Sequence, residues 1–276
     1  MADVVQSFNC AKCGAPLKMG KGESVVVCSY CGSTNNLRAD KIYIIQHSWM
    51  PNKLTKDDAV KKAKEWMSGG MIMPPGMEKS EITKVELSYV PLWVFETENK
   101  TSYSGAYLRE GDERKVQGKL DKDFFWKILG RRQSSFPVAE YKVPLTSKVP
   151  FSIEDSLEGT MLNGELDERE AKDAAKQEIA DHMKSLLADK VDRFDACDTE
   201  TKFDDAEFVH VPVWFIEFNY HGKPYKLLIE GTNGDVLKGE IPPSDFLGGE
   251  MKLIMGIAVV LILLAACGFL AMTFLR

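Results

Sequence analysis

Apolar and polar residues alternate with several distinct rhythms along this chain, and each rhythm predicts an element. Ala59, Ala63 and Trp66, with Val60 and Met67, fall on one face at helical spacing. Thr55 followed by Asp58 resembles a capping box and opens that helix. Gly69 and Gly70 close it, and Pro74-Pro75-Gly76 forbids a restart. From residue 81 the period changes to two. Leu87, Tyr89, Trp93 and Phe95 share one face, so a strand is expected over 81–95. A second helix is expected over 165–187. Ala171, Ala175, Ile179, Met183 and Leu187 recur every four residues there, and Asp167, Glu168 and Glu170 supply an acidic first turn that favours the helix dipole. Lys223 to Lys238 reads as strand, turn and short strand about Thr232-Asn233-Gly234-Asp235, because Asn-Gly is a strong hairpin signal. The last rhythm is none at all. Residues 253–275 are 23 consecutive positions without charge or proline, bracketed by Lys252 and Arg276. At ~1.5 Å per residue the run is long enough for a ~30 Å hydrocarbon core, so a transmembrane helix is expected.

Parts of the pattern recur. Leu166, Ala171 and Ala175 repeat the spacing of Leu54, Ala59 and Ala63. Val211-Pro212-Val213-Trp214-Phe215 repeats Val90-Pro91-Leu92-Trp93-Val94. Two matching helix-then-strand segments imply an internal duplication. A proline inside each strand implies that each strand is an edge or is bulged there. The fold class expected is α+β: an all-β N-terminal unit, a duplicated head of helix plus antiparallel sheet, and one C-terminal transmembrane helix. The divisions are 1–41, a first repeat at 42–110, a β-rich insertion at 111–163, a second repeat at 164–241, a linker at 242–252 and the apolar run at 253–275.

The N-terminal unit carries the sharpest chemical signal. Cys10, Cys13, Cys28 and Cys31 give C-x2-C-x14-C-x2-C, with Gly14 and Gly32 after the two pairs. Four thiolates suit a tetrahedral Zn²⁺. Two intervening residues let one tight turn present both sulfurs, and the glycine permits a positive φ. Disulfides or a redox pair are the alternatives. With about 40 residues and little core, the unit is expected to depend on structural zinc. All four ligands come from protein, which leaves no position for catalysis.

FNCAKCGAPLKMGKGESVVVCSYCGS resembles a zinc ribbon of the rubredoxin-knuckle type. Similar ribbons occur in transcription factor IIB, RNA polymerase subunits and the primosomal replication-restart helicase. Gly222, Lys223, Tyr225, Gly234 and Val236-Leu237 resemble the PepSY domain and its relatives, over about 164–241 and more loosely over about 54–108. That resemblance implies binding or inhibition at membranes rather than catalysis. Taken whole, the chain is similar to prokaryotic membrane-associated zinc-ribbon proteins, some linked with stomatin/flotillin-like (SPFH) scaffolds.

Composition narrows the partners. The net charge is −6, and the ribbon holds five basic against three acidic residues. That near-balance argues against nucleic acid, which needs clustered Lys and Arg. MADVVQSFNC has neither a basic n-region nor an apolar h-region. A membrane-held head in the cytoplasm is therefore expected. Arg109 to Asp123 reads as a solvated hairpin, and Phe124 to Leu129 reads as core or as a membrane-interface cluster. There is no Walker loop, G-x-S-x-G or H-E-x-x-H. His47, His182, His210 and His221 are expected to be structural, although His210 and His221 flank a predicted strand pair and could meet. Cys197 lies among Asp195 and Asp198, which would raise its pKa, and Cys267 lies in the apolar run. No catalytic residue is expected. The expected function is a non-enzymatic, membrane-anchored adaptor that binds a protein partner such as an SPFH scaffold. A membrane-tethered nucleic-acid binder and a regulator of a membrane protease or enzyme are the alternatives.

Overall fold

The period-two alternation over 81–95 continues well past that segment, and the strand it builds organises the molecule. The computed structural model describes residues 8–38, 41–69, 73–109, 112–132, 136–138, 141–142, 145–153 and 158–243. In chain order these form β1 (Val25–Val27), β2 (Thr34–Leu37), β3 (Ile42–Ile45), β4 (His47–Trp49), α1 (Lys56–Met67), β5 (Glu81–Arg109) and β6 (Asp112–Leu129). They continue with β7 (Val149–Pro150), β8 (Thr160–Met161), α2 (Glu168–Ser185), β9 (Arg193–Tyr220), β10 (Lys223–Glu230) and β11 (Val236–Gly239). β1, β2 and β3 form a small antiparallel sheet. The other eight strands form one large sheet around the antiparallel pair β5–β9. β4 runs parallel to β9 and β8 parallel to β5, so that sheet is mixed.

Strand alternation gives the large sheet two apolar faces. On one face, Leu87, Trp214, Ile216 and Phe218 pack under Ala59, Ala63 and Met67 of α1. On the same face, Trp93, Phe95 and Phe208 pack under Ala171, Ala175, Ile179 and Met183 of α2. The opposite face presents Val90, Leu92, Val94, Val209, Val211 and Val213, covered by Met50 and Tyr141 and by Phe136, Val138 and Leu145. Both helices open on full capping boxes, Thr55 with Asp58 and Asp167 with Glu170. The small alanines let each helix approach the sheet closely, which leaves room for the tryptophans beneath.

This architecture corrects the expected fold class. The chain does not build a duplicated head of PepSY-like helix-plus-antiparallel-sheet units. β5 and β9 pair with each other from Glu81↔Asn219 to Ala106↔Arg193, so the two segments that look repeated share one mixed, mostly β fold. Long strands gain more cross-strand contact by pairing across the molecule than by closing two separate small sheets. The expected membrane localisation is corrected as well. Among the described residues no helix is long and apolar enough to cross a membrane. α1 and α2 have 12 and 18 residues and are rich in Lys, Asp and Glu. The run 253–275 lies outside the described residues, and so does Cys267.

The two prolines also sit differently from expectation. Both occupy central strands, yet neither leaves a gap in the ladder. Pro91 accepts a hydrogen bond on its carbonyl from Gly130 N–H at 2.8 Å, one residue past the end of β6. Pro212 accepts one from Gly231 N–H at 2.9 Å, one residue past the end of β10. Each missing proline N–H therefore faces a position where the neighbouring strand has already stopped. A Cβ at Gly231 would lie 2.6 Å from Asn52 Oδ1 and 2.8 Å from Pro212 Cβ, so the close approach excludes a side chain there.

Candidate metal centre

Two short turns with one shared pattern build the site. In the first, Cys10 C=O accepts from Gly14 N–H at 2.9 Å, and Cys10 N–H donates to Ala15 C=O at 2.8 Å. In the second, Cys28 C=O accepts from Gly32 N–H at 2.9 Å, and Cys28 N–H donates to Ser33 C=O at 2.9 Å. Gly14 and Gly32 have φ of 75° and 72°, the left-handed conformation that a side chain would resist. Each turn aims two sulfurs inward. The Sγ atoms of Cys10, Cys13, Cys28 and Cys31 all lie within 4.8 Å of one another. Cys10 and Cys31 are 3.7 Å apart, and Cys13 and Cys28 are 3.8 Å apart. Disulfide sulfurs would lie at about 2.05 Å. A tetrahedron of sulfurs at ~2.3 Å from a central ion has edges of about 3.8 Å. The donor set and spacing therefore suit a metal ion such as zinc.

The surroundings favour thiolates at some positions. Burial raises the pKa of Cys10, but Ser33 Oγ at 3.1 Å, the N–H of Lys12 at 3.4 Å and Asn35 Nδ2 at 3.6 Å more than offset it, and the thiol is held near 5. Ser33 also lies 3.1 Å from Cys31 Sγ and lowers that thiol's pKa. At Cys13 the N–H of Ala15 favours the thiolate, but the neighbouring sulfurs, Cys31 foremost, push the thiol up to about 12. Four negative sulfurs this close repel one another, and a bound dication removes that penalty.

The ribbon is fastened to the large sheet by polar contacts that the cysteine spacing does not announce. Val25 and Gly164 exchange backbone hydrogen bonds at 3.0 and 2.8 Å. Asn163 accepts from Val27 N–H and donates to Glu23. Asn36 donates to Tyr43 Oη at 2.7 Å, and Tyr43 donates to Glu168 at 2.9 Å in the first turn of α2. Burial and the Glu168 carboxylate push the Tyr43 phenol up to about 12, so it stays a donor.

A second connection runs through histidines. Nε2 of His210 lies 2.8 Å from Leu162 C=O, which can only accept, so that nitrogen carries the proton. Nδ1 of His210 then accepts from Nε2 of His47 at 2.7 Å. His47 Nδ1 in turn accepts from the Thr34 hydroxyl of β2 at 2.8 Å. Two neutral rings satisfy this chain, and protonating either would remove an acceptor. Burial holds His210 near 4 and His47 well below its ordinary value. His210 thus meets His47 rather than His221, which sits in the turn between β9 and β10 with φ of 50°. The linkage has a definite sign. The unfolded state, with histidine near 6.5, takes up protons that the native rings refuse. The stabilisation is complete above pH ~6.5 and is lost as the pH falls toward 4, by about 3 kcal/mol for His210. A proton NMR titration should show no His210 transition between pH 7 and 5. A midpoint near 6.5 would mean that the ring is not locked in this chain.

The remaining candidates among the described residues are engaged by their neighbours. A groove of about 1000 Å³ lies between β6 and α2. Its histidine, His182, packs on Phe124 and Trp126 with ring centroids at 5.2 and 5.3 Å. Glu178 accepts from Trp126 Nε1 at 3.1 Å. Arg131 is held by Glu165 and Arg132 by Glu170. Burial, ahead of Asp198, raises the pKa of Cys197, with Lys184 opposing. The buried carboxylates are also engaged. Glu207 pairs with Lys148 and Ser48, and Glu230 accepts from Tyr141 and from the N–H groups of Thr232 and Asn233. Comparisons with protein-family models, with curated proteins and with solved structures give no match for this chain.

Proposed function

We propose that this protein is a non-catalytic binding protein, with one structural zinc ion that shapes a ribbon surface for a protein partner. The observation that carries this reading is the closed donor set, four cysteine sulfurs within 4.8 Å of one another with no place for a substrate. The ribbon's fastening to Gly164, Glu168 and His210 supports it too, since a rigid mount lowers the entropy cost of docking. The chemistry of these residues is to hold the ion, not to move a proton or a group.

Tyr30, between the second pair of cysteines, is 61% exposed and is the most exposed large hydrophobic side chain among the ribbon's described residues. Aromatic residues of this kind are over-represented at the centres of protein interfaces. Near-balanced charge on the ribbon favours a protein over a nucleic acid. Cross-linking in cells followed by mass spectrometry should place one recurrent protein partner on peptides around Tyr30. Tyr30→Glu should abolish those links while leaving zinc content unchanged. Links that survive the substitution, or a nucleic acid as the sole adduct, would reject the reading.

A further inference from the structure

Among the described residues β6 is an edge strand of the large sheet. Among those residues it pairs with β5 alone, from Leu92↔Leu129 to Arg109↔Asp112, without a register shift. In an antiparallel ladder, successive residues point their backbone groups to opposite sides. Gly130, next in register, bonds to Pro91 of β5, so even-numbered residues of β6 face β5. The odd-numbered residues, 113 through 129, turn their N–H and C=O groups outward. Natural proteins usually protect such an edge with charge, and Asp112 to Asp123 is densely charged.

We infer that this edge binds the same edge of a second copy, antiparallel and two-fold about Leu120, through a self-complementary charge pattern. In that register the odd residues pair as hydrogen bonding requires, and no like charges stand opposite. Lys119 faces the partner's Asp121, and Asp121 faces the partner's Lys119. Both are exposed, and neither forms an ion pair among the described residues. Glu113, held by Arg193 at 2.6 Å, faces the partner's Lys127. Leu120 meets its own copy, and Val116 meets the partner's Phe124. Shifting by one hydrogen-bonding step sets Lys119 against Lys119 in one direction. In the other it sets Asp121 against Asp121 and Lys115 against Lys127. Opposite charges across a strand pair stabilise it and like charges oppose it, so the charge pattern disfavours both neighbouring registers.

The groove beside β6 fits this arrangement. The partner's Asp112–Val116 segment would run along Phe124, Phe125, Trp126 and Ile128, which line the groove. The partner's Arg114 would lie against Trp126 and Glu178, a cation beside an aromatic face and a carboxylate. Phe125, 71% exposed, would be covered by the stem of the partner's Lys115. An isologous two-fold contact of this kind closes on itself and ends at a dimer.

Charge reversal tests the register directly. Full-length protein in non-ionic detergent, which keeps the run 253–275 in solution, is examined by sedimentation equilibrium. Wild type should be dimeric. Lys119→Asp alone and Asp121→Lys alone should each raise the dissociation constant by about a hundredfold or more. Mixing the two variants should restore a dimer, since each then offers the sign the other lacks. The double exchange K119D/D121K should dimerise as wild type does. A monomeric wild type would overturn the inference. So would a dimer that neither single reversal weakens, which is the behaviour of association through 253–275, or a mixture that stays monomeric.

Discussion

Removing the metal, or replacing Cys28 by serine, should unfold the ribbon and release its hold on the large sheet. The apolar core of this unit consists of Cys10, Leu17, Val26, Cys28 and Leu37, with only a few half-buried neighbours. Two of those five, Cys10 and Cys28, are candidate ligands, so on the proposed reading the ion holds this core together. Structural zinc in such small units contributes about 10–16 kcal/mol of apparent binding free energy, nearly all of it coupled to folding. The purified chain should hold about one zinc ion. After chelation, the amides of Val25–Val27 and Thr34–Leu37 should lose their protection from hydrogen exchange. The pairing of β5 with β9 should keep most of its protection, because its core lies under α1 and α2. Undiminished protection of β1 and β2 in the metal-free protein would show that contacts with Gly164 and His210 alone suffice, and the structural role of the ion would fall.

Trp93→Ala should cost about 3–5 kcal/mol, the largest effect expected from any single core substitution here. The ring is fully buried, with Phe95 stacked at 5.9 Å and Phe208 edge-on at 5.1 Å. Its Nε1 donates to Leu166 C=O at 3.0 Å, one residue before the cap of α2. Truncation would open a cavity beneath the alanines of α2 and leave that carbonyl unpaired. Trp93→Phe should keep most of the packing and lose chiefly the hydrogen bond, at roughly 1–3 kcal/mol. Urea denaturation of the two variants separates these parts. Equal costs would mean that the hydrogen bond dominates, and a negligible cost for alanine would mean that α2 does not pack on this tryptophan.

The contrast between sites read correctly and incorrectly follows the range of the forces involved. Cys10 and Cys13 are brought together by a turn whose hydrogen bonds span five residues, and Thr55 is capped by a residue three positions on. The stripe Ala171, Ala175, Ile179 and Met183 is buried as its spacing requires. The Asn233-Gly234 turn joins β10 to β11. In the knuckle turn, the cap and the hairpin every partner lies within a few positions, and the periodicity of the stripe is itself local, so residue type and spacing alone indicate them. The fit of the four sulfurs to one ion adds the meeting of two such turns, and paired glycines and paired spacings were enough to indicate it.

Other features depend on partners outside the local segment, some of them more than a hundred residues away. Whether Val90-Pro91 and Val211-Pro212 belong to two sheets or one was decided by the pairing of β5 with β9, which local alternation cannot register. The prolines are harmless only because β6 and β10 stop one residue before Gly130 and Gly231. The meeting of His47 with His210, and the protons on their rings, depend on β4 lying parallel to β9 and on a carbonyl at Leu162. The sequence by itself therefore determined the metal knuckles, the helix faces, the caps and the hairpin turn, because short-range geometry leaves them few alternatives. Only the tertiary structure decided which strands are central, which edge is open and which polar groups share a buried chain, because strand pairing chooses among distant segments by burial and register across the whole sheet.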